Sequence, residues 1–392
     1  MNGSPYLEAL SRRVLIFDGA VGTNLQAMDP TPAQFGGAAL EGWMDGLVLH
    51  SPDLVERLHR SFLEVGADVI ETCTFQATPL RLAEWGAGDR TRELNEKAAR
   101  LARRLADEYS SADQPRFVAG SMGPSGYLPA SSDPSLGRIT FGELVAAFRE
   151  QAEGLLDGGS DLLIIETGQD ILEVKAAIFA AREAFESTGR HVPIQAQATL
   201  DVSGRMLLGT DIAAVLAILE SLRVDVVGLN CSTGPEYMRE PIRYLAENTR
   251  LPISCIPNAG LPLNVGGRAH YPMQPDPMAD QLEEFVRDLG INVVGGCCGT
   301  TPAHIAALVG RVGGATPVPR EVQERPRLAS SIRATDLDQE PKPLLIGERV
   351  NAQGSRKIKE LLLADDYDGI VRVGLGQVEG GAHALDVCVA VT

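Results

Sequence analysis

Cysteine, lysine and aromatic residues are scarce in this chain of 392 residues, and long apolar runs are missing. Six cysteines are too few for a disulfide scaffold at this length, and two of them, Cys297 and Cys298, are adjacent. In a reducing compartment such clustering points to a metal or to catalysis. The 35 basic residues face 52 acidic ones, leaving a formal net charge of −17. That charge argues against nucleic acid as a partner, because phosphate binding needs a basic surface. No run of about 18 apolar residues is present to cross a bilayer, and the opening MNGSPYLEALSRR lacks the apolar core of a secretion signal. A cytoplasmic protein without a membrane partner is expected. No G-x-G-x-x-G follows any apolar run, which weakens a dinucleotide-binding sheet.

What the chain does have is a repeat of short apolar runs and amphipathic stretches. Eight segments read as strands: 13–20, 67–75, 116–124, 161–168, 193–200, 224–232, 251–260 and 292–300. Their continuous apolar character fits strands buried on both faces of a parallel sheet. The lead-ins VGADVI, GGSDLLII, RVDVVGLN and LGINVVGG read as helix ends followed by short turns into strands. Helical spacing is expected over 52–65, 140–156 and 169–185, with helix starts at Asp211 and Thr301-Pro302. Eight such units in about 310 residues predict a TIM (β/α)8 barrel, an α/β fold whose active site lies where the strands end.

After Gly313 the pattern stops in a stretch rich in proline and charge, then restarts at LLIGERVN and AHALDVCVAV. The expected organisation is a barrel over 1–314, a linker over 315–342, and the truncated start of a second β/α barrel over 343–392.

The sixth strand ends in GLNCSTGP and the eighth in GGCCGTTP, which brings Cys231, Cys297 and Cys298 to the barrel mouth. Adjacent residues of a regular strand point to opposite faces. Gly295, Gly296 and Gly299 let the backbone leave strand geometry, so that both neighbouring thiolates turn inward. Three thiolates with one open position match the catalytic pattern for zinc. Such a site suits a thiol substrate, because a free thiol with a pKa of about 8.5 is mostly protonated at neutral pH and the thiolate is the nucleophile. Alkyl transfer to sulfur is the implied chemistry. Cys73 and Cys255, isolated and without flanking glycines, read as core residues. Asp18, Glu71 and Glu166 end other strands; Asp18 and Glu166 suit the ammonium of an amino-acid substrate, and the Gly19 to Gly22 turn suits its carboxylate. Helix capping or barrel ion pairs are the alternative for these acids.

The segments FDGAVGTNLQ, HSPDLVERLHRSFLEVGADVIETCTF, GSMGPSGYLP, IIETGQDILEVKAAI, GLNCSTGP, IPNAGLPL and VVGGCCGTTPAHI together resemble the homocysteine S-methyltransferase family, within it the cobalamin-dependent, methionine-forming branch. The resemblance implies zinc on Cys231, Cys297 and Cys298, homocysteine as the thiol, Asp18 and Glu166 on its amino group, and Asn258 as an oxygen donor near the metal. IGERVNAQGSRK resembles the start of a pterin-binding barrel, which places Glu348, Asn351 and Asp386 near a folate; Cys388 stands where many relatives carry Asn. Methylcobalamin, recharged from methyltetrahydrofolate, is then the implied methyl donor, and a cobalamin-binding domain the implied partner in a longer protein. Three alternatives stand beside this reading: another donor or fusion to a folate reductase, a non-catalytic module that binds zinc and homocysteine, and a purely structural zinc site.

Overall fold

The computed structural model describes residues 3–133, 135–266 and 268–390. Eight strands, each following its predicted apolar run, form one parallel sheet. They are β1 (Leu15–Ile16), β2 (Val69–Glu71), β3 (Phe117–Met122), β4 (Leu162–Gly168), β5 (Ile194–Ala198), β6 (Val226–Asn230), β7 (Ile253–Ile256) and β8 (Val293–Val294). Their order is β1-β8-β7-β6-β5-β4-β3-β2, and an isolated parallel bridge between Phe17 and Val69 brings the two ends together. The result is the expected TIM barrel.

Alternation along each strand divides the residues between two cores. Leu15, Phe17, Val69, Phe117, Ala119, Leu162, Ile164, Val226, Ile256 and Val293 fill the interior. A helix with no counterpart in the predicted pattern, α1 (Pro5–Arg12), adds Tyr6 and Leu10 to that interior. The Tyr6 hydroxyl donates to Gln195 Oε1 at 2.8 Å, and its ring meets Phe117 edge-on at 5.6 Å, so α1 plugs the end where the strands begin. The other strand residues pack outward against a ring of eight helices: α2 (Pro52–Glu64), α3 (Thr91–Tyr109), α4 (Phe141–Asp157), α5 (Ile171–Thr188), α6 (Ile212–Ser221), α7 (Pro235–Asn248), α8 (Pro275–Leu289) and α9 (Pro302–Val312). Their starts are chemically marked. Thr140 with Glu143, and Thr301 with His304, form capping boxes, and the Asp211 side chain accepts from Ala214 N–H. Gly66, Gly159 and Gly290 take left-handed backbone in three of the four lead-ins, and in the fourth Arg223 does so at φ 51°.

One compact unit runs to Gln323 and takes in Ala329–Arg333; the other comprises Glu324–Leu328 and the chain from Ala334. The stretch expected as a linker contains a two-stranded sheet, Arg327–Ala329 with Ala334–Asp336. Within the first unit, Ile332 carbonyl accepts Asp211 N–H at 2.8 Å. The second unit pairs β9 (Ile346–Asn351) with parallel β10 (Ala384–Cys388), and carries α10 (Arg356–Leu363) and α11 (Tyr367–Glu379) around Val350, Ala352 and Ile358. Among the described residues, no helix is long and apolar enough to cross a membrane.

Candidate functional site

The alternation that fills the barrel continues to its rim. Two residues beyond the interior Val69, Ala119 and Ile164 come Glu71, Ser121 and Glu166; β6 ends in Asn230, and Gly19, Asn258 and Cys297 hold the same phase after β1, β7 and β8. The remaining sulfurs need irregular backbone. Cys231 and Ser232 take left-handed φ values of 60° and 64°, and β8 ends at Val294, so Gly295 to Gly299 are free of the ladder. Cys297 N–H donates to Pro257 carbonyl at 2.7 Å, and Cys298 carbonyl accepts Ala259 N–H at 3.0 Å, which fastens the double-cysteine turn to the residues after β7.

The Sγ atoms of Cys231, Cys297 and Cys298 lie within 4.8 Å of one another, and Cys231 and Cys298 are 3.8 Å apart. Tetrahedral zinc with Zn–S bonds of about 2.3 Å places its sulfurs about 3.8 Å apart, so the cluster fits one such ion. Hydrogen bonds from Cys231 and Cys297 hold the Cys298 thiol well below its ordinary value, while Cys297 is pushed up by its contacts with the two neighbouring sulfurs and by burial.

Carboxylates occupy the opposite rim. Glu166 Oε1 accepts from Ser121 Oγ at 2.5 Å, and Oε2 accepts from Asn230 Nδ2 at 3.1 Å. Burial raises Glu166 to about 7; the Ser121 bond opposes this and the charge at Cys298 adds to it. Glu71 is raised by burial and then by Glu166 and Asp18, and Asp18 by burial and by Glu166. Asp18 Oδ2 accepts Glu71 N–H at 3.1 Å, whereas Oδ1 is buried without a partner. Asn258 Oδ1 is likewise buried and unpartnered. Acids packed together with no partner cation among the described residues suit a cationic ligand.

A cavity of about 340 Å³ joins the two sides. Gly19, Glu166 and the three cysteines line it, together with Glu71 and Cys73; Asp18 and Asn258 are not part of its lining. Cys255 stays in the core, its thiol donating to Met238 Sδ at 3.7 Å. Thr72, Ser121 and Thr167 also line the cavity, and Asn230 lies behind it; none was singled out from sequence, although Ser121 and Asn230 carry the inward phase of their strands. In the second unit Asn351 Nδ2 donates to Asp386 Oδ2 at 2.8 Å, and Glu348 and Asp386 are exposed.

Residues 15–312 match the family described as homocysteine S-methyltransferase. A methionine synthase of Mycobacterium tuberculosis is 43% identical over 383 residues, 98% of this chain and 32% of the relative. One from Mycobacterium leprae is 43% identical over 389 residues with the same shares. The chain thus spans about a third of the length of these relatives. Among solved structures, the metallated form of the homocysteine methyltransferase MmuM from Escherichia coli superposes with a TM-score of 0.63 at 27% identity, over 79% of this chain and 100% of that one. Its oxidised form gives 0.61 at the same identity and coverage. The chain belongs to the homocysteine S-methyltransferase family.

Proposed function

We propose that the barrel binds homocysteine and presents its sulfur, as a thiolate on zinc, for methylation to methionine. The observation that carries this reading is the convergence of three thiols within 4.8 Å on the wall of a cavity whose opposite wall is acidic. Cys231, Cys297 and Cys298 would hold the metal. Bound there, zinc supplies a Lewis acid that lowers the pKa of the incoming thiol, and three anionic sulfurs keep that thiol electron-rich.

The remaining work falls to the chain itself. Glu166, held from both sides by Ser121 and Asn230, receives the substrate ammonium, with the unpartnered Oδ1 of Asp18 as a further acceptor behind it. The turn at Gly19 offers backbone N–H groups to the carboxylate. Asn258, whose Oδ1 lacks a partner and whose neighbour Ala259 is bonded to the Cys298 carbonyl, would offer an oxygen to the metal. The methyl donor we propose is methylcobalamin on another domain of a longer protein, recharged from methyltetrahydrofolate near Glu348, Asn351 and Asp386. Similarity to methionine synthases across both units supports this donor.

Metal analysis of single variants tests the assignment. Cys297→Ser and Cys298→Ser are expected to lose most of the zinc and, with it, methionine formation from homocysteine and added methylcobalamin. Cys73→Ser and Cys255→Ser are expected to keep both. Full zinc in the first pair would overturn the metal site.

A further inference from the structure

We infer that Asn230 is a positioning residue that couples the grip on the substrate amino group to the sulfur cluster, an inference that rests on the function just proposed. Asn230 is buried at the inward end of β6. Its Oδ1 accepts Thr167 N–H at 2.7 Å. Its Nδ2 faces three acceptors: Thr167 Oγ1 at 2.9 Å, Glu166 Oε2 at 3.1 Å and Cys297 Sγ at 3.8 Å. A side-chain amide nitrogen carries two hydrogens. The three acceptors therefore share them, and a change in demand at Glu166 alters what reaches Cys297.

Backbone strain points to the same residue. Thr167 sits at φ 55°, a region that a β-branched side chain rarely adopts, and Cys231 and Ser232 follow Asn230 at 60° and 64°. Such conformations persist only where the surroundings over-determine them. Both polar atoms of Asn230 grip Thr167, while its own backbone leads directly into Cys231. One side chain thus ties the end of β4, which carries the ammonium carboxylate, to the end of β6, which carries a sulfur ligand, and it touches the sulfur after β8. Ser121 fixes the other oxygen of Glu166, so the carboxylate has little freedom once Asn230 is in place.

The consequence is selectivity for thiols that bear an amino group. The readout is a ratio of dissociation constants in the zinc-loaded chain: 4-mercaptobutanoate, which is homocysteine without its amino group, over homocysteine. Asn230→Ser is expected to lower that ratio about tenfold, through weaker homocysteine binding. Glu166→Gln should lower it comparably, and the double variant should fall no further than either alone. Asn230→Asp keeps the size and the acceptor but removes the donor, and the same fall is expected. An unchanged ratio in the Asn230 variants, or full additivity in the double variant, overturns the inference. Loss of zinc from both Asn230 variants with native circular dichroism also overturns it, since Asn230 would then serve the metal alone. Failure of the wild-type chain to add a sulfur ligand when homocysteine is supplied, read by X-ray absorption, would instead overturn the proposed function.

Discussion

Glu173, in the first turn of α5, is a buried carboxylate whose Oε1 accepts from Ser125 N–H at 2.9 Å and from the Ser125 hydroxyl, while Oε2 is buried without a partner. Burial raises its pKa to about 7, against the opposing pull of Ser125. A carboxyl raised in the folded state binds more protons there than in the unfolded chain, where its value is about 4.5. Its contribution to stability is therefore full below pH 4.5 and is lost as pH rises from 4.5 to 7. Glu173→Gln keeps the acceptor and removes the charge. It is expected to unfold like wild type near pH 4.5, and to be more stable at pH 8 by on the order of 2 kcal/mol. Denaturant midpoints at the two pH values check this, and equal midpoints at pH 8 would show that the carboxylate is solvated. The residue matters beyond stability because Ser125 begins the long loop after β3, which Asp170 also pins by accepting Ala130 N–H at 2.8 Å.

At the level of strands, the barrel interior tolerates little added volume. Ser254 Oγ bridges Gln195 Nε2 at 3.2 Å and Gln197 Oε1 at 3.1 Å, and Gly228 on β6 leaves the space that this polar layer fills. A methyl group at Gly228 would lie 2.4 Å from the Ser254 carbonyl oxygen and 2.9 Å from Gln197 Oε1. Backbone of a neighbouring strand cannot yield cheaply. Gly228→Ala is expected to cost about 1–3 kcal/mol in chemical denaturation while leaving zinc content intact, because the cysteines lie further up the strand. An unchanged midpoint would mean that this layer is loosely packed. The same strands show what sequence alone can reach. Apolar runs located all eight strands, and their ends reached Glu71, Glu166 and Cys297; Asn230 emerges only once the fold shows which residues are interior and the count by twos can begin from them. Asp18 falls on the opposite phase from Phe17 and Gly19, and accordingly it lies behind the cavity wall. Counting fails where the backbone turns left-handed, at Thr167 and Cys231, since neither residue type signals that conformation. It also missed α1, which is too short to stand out by periodicity and whose role depends on reaching an interior built by distant strands.

For the molecule as a whole, the seam of the barrel gives its ligand a second role. Between β1 and β2 the ladder reduces to the bridge at Phe17 and Val69, with Asp68 N–H donating to Ile16 carbonyl at 2.7 Å and Asp18 N–H to Val69 carbonyl at 2.9 Å. Side chains complete the join: Asp68 Oδ2 accepts Ile16 N–H, and Asp18 Oδ2 accepts Glu71 N–H, each at 3.1 Å. Arg13 and Arg116 hold Asp68 through ion pairs of 2.7 Å, but no cation holds the cluster of Asp18, Glu71 and Glu166 among the described residues. The lower half of the seam is therefore buttoned by the protein, and the upper half is left for the proposed amino-acid substrate to clasp. Homocysteine is expected to slow deuterium exchange at the amides of Asp18 and Glu71 more than along the continuous β4–β5 ladder, because local opening of the staves begins where they are least fastened. Uniform slowing around the barrel would show that the clasp is absent, and unequal slowing would make the substrate the last hoop of the enclosure that binds it.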